Sequence, residues 1–187
     1  MGAPRDPAMA SVPTRPPAPG LQPGGTPLRV GLLSDTHGLL RPESIARLQG
    51  CDWIIHAGDI CDPAILDALR ALAPVTAVRG NCDQGPWAGR LRETERVRMG
   101  SISVYVIHNL ARLEIDPEAL GIRVVVSGHS HQPSVETRGG VLYVNPGSCG
   151  PRRFKLPVAM GELVIAGDRV RAGTVQLAIS CPWDSPA

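Results

Sequence analysis

Five apolar runs in this chain each end in residue types that bind metal ions. The clearest is VVVSGHSH (124–131), where a valine run is broken by Ser-Gly and finished by His129 and His131. The other four end at SDTH (34–37), GD (58–59), GNCD (80–83) and IHN (107–109). One Asp or His that closes a strand is often only a turn former. Five such turns in one chain favour a shared site for divalent cations.

The elements around the first three turns predict how these side chains come together. The runs at 28–33, 52–56 and 75–78 are typical of strands, and 42–49 and 63–72 are typical of helices that begin with proline. This β-α-β-α-β order implies parallel strands, whose carboxyl ends share the sheet edge where α/β proteins bind ligands. We therefore expect four side chains to converge there: Asp35, His37, Asp59 and Asn81.

The second half of the chain predicts a second sheet. Strands are expected at 92–98, 102–107 and 123–127, and in two hairpins, one over 134–144 across Gly139-Gly140 and one over 159–178. A short helix is expected at 116–120, with Pro117 at its start. Together these strands predict a largely antiparallel sheet packed on the first.

Length and composition fit one globular domain. The chain has 187 residues, and its 43% hydrophobic and 19% charged residues exclude a disordered chain. A net charge of +2 gives no strong signal for nucleic acid, and no apolar stretch is long enough to span a membrane. Five scattered cysteines without a Cys-x-x-Cys pair argue against a disulfide framework or a zinc ribbon. A reducing cytoplasmic location is therefore expected.

The two ends differ in composition from the middle of the chain. Residues 1–27 carry eight of the nineteen prolines and four glycines, which predicts a disordered tail, and Met9 is an alternative start. The folded domain is predicted to span 28–179, and residues 180–187 are predicted to form a C-terminal tail.

The residue types indicate which ions such a site would hold. Asp59 follows a tight glycine turn and is the best candidate for a carboxylate that bridges two ions. A mixed set of carboxylates, imidazoles and an amide suits Mn, Fe, Zn or Ni better than Ca or Mg. Two ions about 3.5–4 Å apart can clamp the attacking and leaving oxygens of a phosphoryl transfer. The imidazoles available for this are His37, His108, His129 and His131.

Other polar residues near these motifs admit ordinary structural interpretations. His56 lies inside a strand, which favours a structural role or a contact behind the ligand residues, and Asp62 and Asp83 are candidate helix caps. The turn 145–148 (NPGS) either binds a phosphate through its backbone N–H groups or is simply good turn chemistry. Arg152 and Arg153 either reach a substrate phosphate or face water.

Six motifs, in order, resemble those of the calcineurin-like metallophosphoesterases. Five of them are SDTHG (34–38), GD (58–59), GNCD (80–83), GHSH (128–131) and NPGS (145–148), and His108 at a strand end is the sixth. Their order and spacing are similar to those of the small bacterial and archaeal phosphodiesterase branch, over about residues 28 to 178. The resemblance implies an α/β fold, a four-layer α/β/β/α sandwich of two mixed β-sheets with a di-metal site.

The resemblance also implies roles for individual residues. One ion would be held by Asp35, His37, Asp59 and His131, and the other by Asp59, Asn81, His108 and His129. The four residues that hold the second ion would be catalytic, with a metal-bridging hydroxide attacking phosphorus. The implied ions are two divalent cations, Mn above all with Fe, Zn or Ni open, and the implied substrate is a small phosphodiester. Five further residues are expected to contact either the ligand residues or the substrate: Cys82, Asp83, Asn145, Gly147 and Ser148.

Two departures from the family pattern leave alternatives open. Cys82 stands where many members have His, and His108-Asn109-Leu110 stands where relatives often read His-Gly-His. One alternative is a non-catalytic scaffold, as in the retromer subunit of this fold, which lacks a full ligand set. The other is a phosphomonoesterase or protein phosphatase, which usually has the His that Cys82 replaces. All seven ligand positions hold metal-competent residues, which favours the enzyme, and a homo-oligomer remains open.

Overall fold

The computed structural model describes residues 26–153 and 155–179, which leaves 1–25 and 180–187, most of the two predicted tails, outside the description. The helices are α1 (Pro42–Leu48) and α2 (Pro63–Arg70), with short 3-10 helices at Ala88–Arg90 and Leu110–Arg112. The strands are β1 (Leu28–Leu33), β2 (Trp53–His56), β3 (Val75–Ala77), β4 (Thr94–Met99), β5 (Ile102–Ile107), β6 (Val124–Val126), β7 (Ser134–Arg138), β8 (Val141–Asn145), β9 (Ala159–Ala166) and β10 (Arg169–Gln176).

The first sheet has the order β10-β9-β1-β2-β3, with β1, β2 and β3 parallel. The prediction that the last hairpin belongs to the second sheet is therefore wrong. Strand β9 pairs antiparallel with the free edge of β1, with Val30 opposite Leu163. This register places Leu163 and Ile165 in the same core as Val30, so the hairpin buries its apolar face on this sheet.

The second sheet has the order β4-β5-β6-β8-β7. Its three central strands, β5, β6 and β8, are parallel, and only the two edge pairings are antiparallel. The prediction of a largely antiparallel sheet is wrong for this centre, because the connections 108–123 and 127–140 carry the chain back across the sheet between parallel strands. Both sheets are mixed, which confirms the predicted fold class.

The main core lies between the two sheets. Apolar side chains from β1, such as Leu32, meet those of β5 and β6, such as Val104 and Val124. A second core lies under α1 and α2, where Leu48 and Leu69 pack on the outer face of the first sheet. Helix α2 begins as predicted at Asp62, whose carboxylate accepts the N–H of Ala64 at 2.9 Å.

A thin fourth layer covers the outer face of the second sheet. It consists of the 3-10 helix Leu110–Arg112 and the loop after it, which bury Tyr105 and Ile122. The helix predicted at 116–120 is wrong, because this segment forms only turns. The Asp116 carboxylate accepts the N–H groups of Glu118 and Ala119, and the chain closes with a bond from Ile122 N–H to the Pro117 carbonyl. No helix among the described residues is long and apolar enough to cross a bilayer.

Candidate metal centre

The turns after β1 and β2 are joined to each other by backbone hydrogen bonds. The N–H of Asp35 donates to the Gly58 carbonyl, and the N–H of His37 donates to the Asp59 carbonyl, both at 3.0 Å. Gly58 has φ +94°, and a Cβ atom there would lie 2.7 Å from the His108 imidazole. Only glycine fits this position, so the motif glycine lets the turn after β2 approach the end of β5.

Five of the seven predicted ligands have backbone in the left-handed region. Their φ angles lie between 45° and 67°, a conformation that Asp and His adopt more readily than most residues but that still costs about 1–3 kcal/mol each. Strain of this kind is maintained where surrounding structure fixes it, and it clusters at functional sites. The five residues are Asp35, His37, Asp59, His129 and His131.

Asp35, His37 and His131 form a buried group that we name the inner half of the site. Their donor atoms lie within 4.8 Å of one another. His131 Nε2 lies 3.3 Å from Asp35 Oδ1 and 3.3 Å from His37 Nε2. Asp35 is fully buried, and its side chain takes the N–H of His129 on Oδ2. The inner half therefore gathers one carboxylate and two imidazoles in a largely buried space.

Asn81, His108 and His129 form a more open group that we name the outer half. Asn81 Oδ1 lies 3.0 Å from His108 Nε2 and 3.0 Å from His129 Nδ1. The other nitrogen of His108, Nδ1, lies 2.7 Å from the Ala57 carbonyl, which fixes the ring so that Nε2 faces the site. Asn81 and His129 are exposed, whereas His108 is buried.

Asp59 lies between the two halves and faces both. Its Oδ2 is 3.9 Å from His37 Nε2 in the inner half, and its Oδ1 is 3.5 Å from His108 Nε2 in the outer half. Burial alone would raise the pKa of this carboxyl, but His108 and the backbone N–H of Cys82 hold it well below its usual range. Asp59 is therefore an anion with one oxygen directed to each half.

The donor set fits divalent cations. Asp35 Oδ1 is buried without a hydrogen-bond partner, although it faces two imidazoles. Two imidazole nitrogens, one from His37 and one from His131, face each other at 3.3 Å, where a bound cation would satisfy both lone pairs. Burial has the largest single effect on Asp35 and raises its pKa, but His131, Ser34 and His108 together bring the pKa below its ordinary value, so this second carboxyl is also held ionised. Two anionic carboxylates with four imidazoles and an amide oxygen suit borderline ions such as Mn, Fe or Zn.

Asp83 has a different place from the helix cap proposed on sequence grounds. It caps no helix, and its buried carboxylate instead accepts four backbone N–H groups at 2.7–3.1 Å. Those donors are Asp59, Ile60, Cys61 and Gly80, so one side chain joins the turn after β2 to the turn after β3. Asp83 therefore holds Asp59 and Asn81 in register, and only its position beside Asn81 hints at this in the sequence.

His56 lies beneath the site, within the sheet. Its Nε2 is 3.0 Å from Thr36 Oγ1, its Nδ1 accepts the N–H of Gly58, and it is fully buried. Burial lowers its pKa to about 4. A neutral imidazole that connects the first two turns agrees with the structural role predicted for this residue.

The turn 145–148 supports the site from behind. Asn145 Nδ2 donates to the Gly128 carbonyl at 2.8 Å, and Asn145 Oδ1 accepts the N–H of Gly147 at 2.9 Å. Ser148 Oγ donates to the Asp35 carbonyl at 2.8 Å. Asn145, Gly147 and Ser148 are buried, and these polar groups are used inside the protein. Their arrangement favours turn chemistry over phosphate binding.

Two cysteines border the inner half. Cys82 donates its N–H to Asp59 Oδ1 at 2.7 Å, and its sulfur belongs to a compact group with His37 and Asp59. Cys61 is exposed, and its sulfur lies 3.7 Å from Nδ1 of His37. Burial raises the pKa of Cys61 to about 11. Burial, then contact with Asp59, also raises the pKa of Cys82, so in this arrangement both are thiols.

A cleft of about 890 Å³ opens from the outer half. Its walls include Asn81, His108 and His129, and it extends past the apolar side chains of Ile107 and Ile115. The guanidinium groups at its rim are those of Arg79 and Arg112. Arg79 pairs with Glu93, whereas Arg112 has no ion-pair partner among the described residues. A ligand can therefore approach the outer half from solvent.

Comparison with known proteins identifies the family. The model of the calcineurin-like phosphoesterase superfamily domain matches residues 28–167. The chain belongs to this superfamily. It is 35% identical to the protein named Probable metallophosphoesterase MJ0623 of Methanocaldococcus jannaschii, over 67% of this chain and 69% of that protein.

Two further relatives frame the functional question. Phosphodiesterase YfcE of Escherichia coli K12 is 28% identical over 73% of this chain and 87% of its own length. The structure of Vacuolar Protein Sorting 29 from Cryptosporidium parvum superposes with a TM-score of 0.66 at 18% identity, over 80% of this chain and 98% of that one. This second likeness shows the fold alone.

Proposed function

We propose that this protein is a phosphodiesterase that hydrolyses small phosphodiesters with the help of two divalent cations. The observation that carries the proposal is the position of Asp59, whose two oxygens face two separate groups of ligand-type side chains. One ion would be held by Asp35, His37, Asp59 and His131. The other would be held by Asp59, Asn81, His108 and His129.

When bound, such a pair of cations lowers the pKa of water and neutralises charge on the phosphoryl oxygens. The residues of the chain position and orient the metal ligands. Asp59 keeps the two halves together as an ionised carboxylate, and Asp83 fixes the backbone on which Asp59 and Asn81 stand. His108 is oriented by the Ala57 carbonyl, so its Nε2 is directed at the site before any substrate arrives.

The preference for a diester rests on the cleft and on similarity. A diester has two ester arms, and the cleft beside the outer half provides a volume of about 890 Å³ for one of them. The relative YfcE is itself named a phosphodiesterase. Cys82 stands where a histidine is usual in phosphomonoesterases of this superfamily, which also favours the diester. Mn²⁺ is our proposed ion because three of the seven proposed ligands, Asp35, Asp59 and Asn81, offer the oxygen donors that suit it; the four imidazoles also fit Fe, Zn or Ni.

Hydrolysis of bis-p-nitrophenyl phosphate by chelator-stripped protein tests the proposal, with the monoester p-nitrophenyl phosphate run beside it. We expect turnover of the diester to return on addition of Mn²⁺ and to exceed that of the monoester. A higher kcat/KM for the monoester would instead assign a phosphomonoesterase. If folded, metal-loaded protein hydrolysed neither ester, the scaffold function would be favoured.

A further inference from the structure

The inner half has a sulfur donor within reach. A nitrogen of His37, a carboxylate oxygen of Asp59 and the sulfur of Cys82 all lie within 4.8 Å of one another. Cys82 is held there by its own backbone, because its N–H donates to Asp59 Oδ1 at 2.7 Å. The sulfur also accepts a hydrogen bond from Asn81 Nδ2 at 3.3 Å. It therefore borders the site at the carboxylate that both halves share.

A second observation points to a ligand beside the same imidazole, that of His37. Asp35 is fully buried, and its Oδ1 has no hydrogen-bond partner while lying 3.9 Å from His37 Nε2. His37 thus lies between two potential metal ligands, the unpaired carboxylate oxygen of Asp35 and the thiol of Cys82. Thiolate is the softest donor that proteins offer, and it selects Zn²⁺ and its heavier relative Cd²⁺ over Mn²⁺.

We propose that Cys82 is an additional ligand for thiophilic cations, which makes the inner half the preferred position for Zn²⁺ or Cd²⁺. This inference rests on the proposed function, in that His37 and Asp59 must be metal ligands. On binding, the S–H bond of Cys82 breaks, a sulfur–metal bond forms, and the proton is released to the buffer. The outer half has no such donor among the described residues, since Cys51 and Cys149 are buried in the core and Cys61 lies beside His37 of the inner half.

Cys61 offers a matched control. It is also a free cysteine beside His37, but its sulfur lies 3.7 Å from Nδ1 of that ring. Among the described residues it belongs to none of the compact groups of potential metal ligands. The substitutions C82S and C61S each remove one thiol and keep every other cysteine of the chain, Cys181 included. A difference between them therefore reports on position rather than on thiol content.

Titration of chelator-stripped, reduced protein with Cd²⁺ tests the inference through the ultraviolet charge-transfer band of a cadmium–thiolate bond. The wild-type protein and C61S should develop this band as the first ion binds, with release of a proton. C82S should lack the band and bind the first Cd²⁺ at least about tenfold more weakly, while its affinity for Mn²⁺ changes less. Bound cadmium is measured by equilibrium dialysis.

A band that persists in C82S would overturn the inference, and so would cadmium-loaded wild-type protein without a band. If C82S fails to fold, cadmium NMR of the wild-type protein decides instead, because a thiolate ligand moves the resonance strongly downfield. These readouts need no substrate. Absence of diester hydrolysis beside an intact band would count against the proposed function alone, and hydrolysis without a band would count against the sulfur ligand alone.

Discussion

The two halves of the site use similar residue types in different surroundings. In the inner half, Asp35 is fully buried and the His131 side chain is 10% exposed. Asp35 Oδ1 and His131 Nδ1 are buried without a hydrogen-bond partner. In the outer half, Asn81 and His129 are exposed on the wall of a large cleft. The inner half therefore holds its charged carboxylate away from solvent, whereas the side chains of the outer half can be reached from solvent.

The contrast follows from the positions of the strands. The turns that carry Asp35 and Asp59 end neighbouring central strands, and the loop after β6 closes over them through the bond from His129 N–H to Asp35. The turn after β3 lies at the edge of its sheet, which leaves Asn81 open to solvent. Edge position thus leaves the outer half the more accessible of the two.

Substitution of Asp59 by Asn should have the largest effect, because it weakens both halves at once. We expect metal-dependent turnover to fall by more than about 100-fold, since even residues that only orient a ligand contribute about 10–100-fold. The measurement is kcat on bis-p-nitrophenyl phosphate together with bound metal per chain. Wild-type turnover in this variant would contradict the bridging position.

Substitution of Asp83 by Ala should damage the backbone that both halves share. Four N–H groups lose their acceptor, three of them buried, and each buried loss costs about 1–3 kcal/mol, so we expect the free energy of unfolding to fall by at least about 3 kcal/mol. Urea denaturation of the metal-free protein measures this. Asp62→Ala is the control, since it removes only an exposed helix cap worth about 1 kcal/mol. Equal losses in the two variants would refute the organising role of Asp83.

His56 gives the metal-free protein a stability that depends on pH. Its folded pKa of about 4 lies below the ordinary value of 6.5, so between these values the unfolded chain binds the extra proton. The contribution of His56 to stability should therefore be complete above pH 6.5 and fall by about 3 kcal/mol as pH drops to about 4. His37, whose pKa is also lowered by burial, acts in the same direction, and His108, whose pKa is raised, acts in the opposite one. Asp35 and Asp59, whose pKa values are lowered, contribute only below their ordinary value of 3.8. His56→Gln should flatten the curve in the upper window, and an unchanged slope would contradict the assignment.

Single substitutions that remove an imidazole from one half should weaken the binding of the ion in that half alone. His129→Ala is expected to weaken the ion of the outer half by about tenfold or more while the inner ion stays bound, and His131→Ala should do the reverse. Metal content after graded exposure to chelator is the measurement. Wild-type protein should release its outer ion first, because that half opens to the cleft. Loss of both ions together from His129→Ala would break the distinction between the halves.

Arg112 should give the smallest effect. Its guanidinium lies at the rim of the cleft without a partner among the described residues, so Arg112→Ala removes only a long-range attraction for the anionic substrate. We expect KM to rise a few-fold with kcat unchanged, and the difference to shrink in high salt. A fall in kcat at unchanged KM would place Arg112 closer to the chemistry than the cleft rim.

Local sequence patterns predicted the first half of the fold well. The strands β1, β2 and β3 and both helices lie within a few residues of their predicted bounds, because each has a short apolar run and clear turn residues. The hairpin β9–β10 was also predicted, but its sheet was not. Alternation shows that one face is buried, and it says nothing about which sheet edge accepts the strand. At 116–120, the Asp116 side chain competes successfully with helix formation.

The sequence predicted the ligand residues of the candidate site, but not the contacts that hold these residues in place. Strand ends on one edge indicated that Asp35, His37, Asp59 and Asn81 converge, and the structure brings them together with His108, His129 and His131. For Asp83 the sequence predicted either a contact beside the site or a helix cap. Its bonds to the backbone of the turn after β2 were not predicted, because a carboxylate that binds the backbone of another turn leaves no spacing pattern. The left-handed backbone of five ligands is likewise set by tertiary contacts.

Electron paramagnetic resonance of the Mn²⁺-loaded protein tests the central claim most directly, because it reports whether two ions share one carboxylate. We predict two Mn²⁺ per chain with an exchange-coupled spectrum, and a spectrum of isolated Mn²⁺ in Asp59→Asn. A single bound ion, or two ions without magnetic coupling in the wild-type protein, would contradict the account in which Asp59 joins the inner and outer halves.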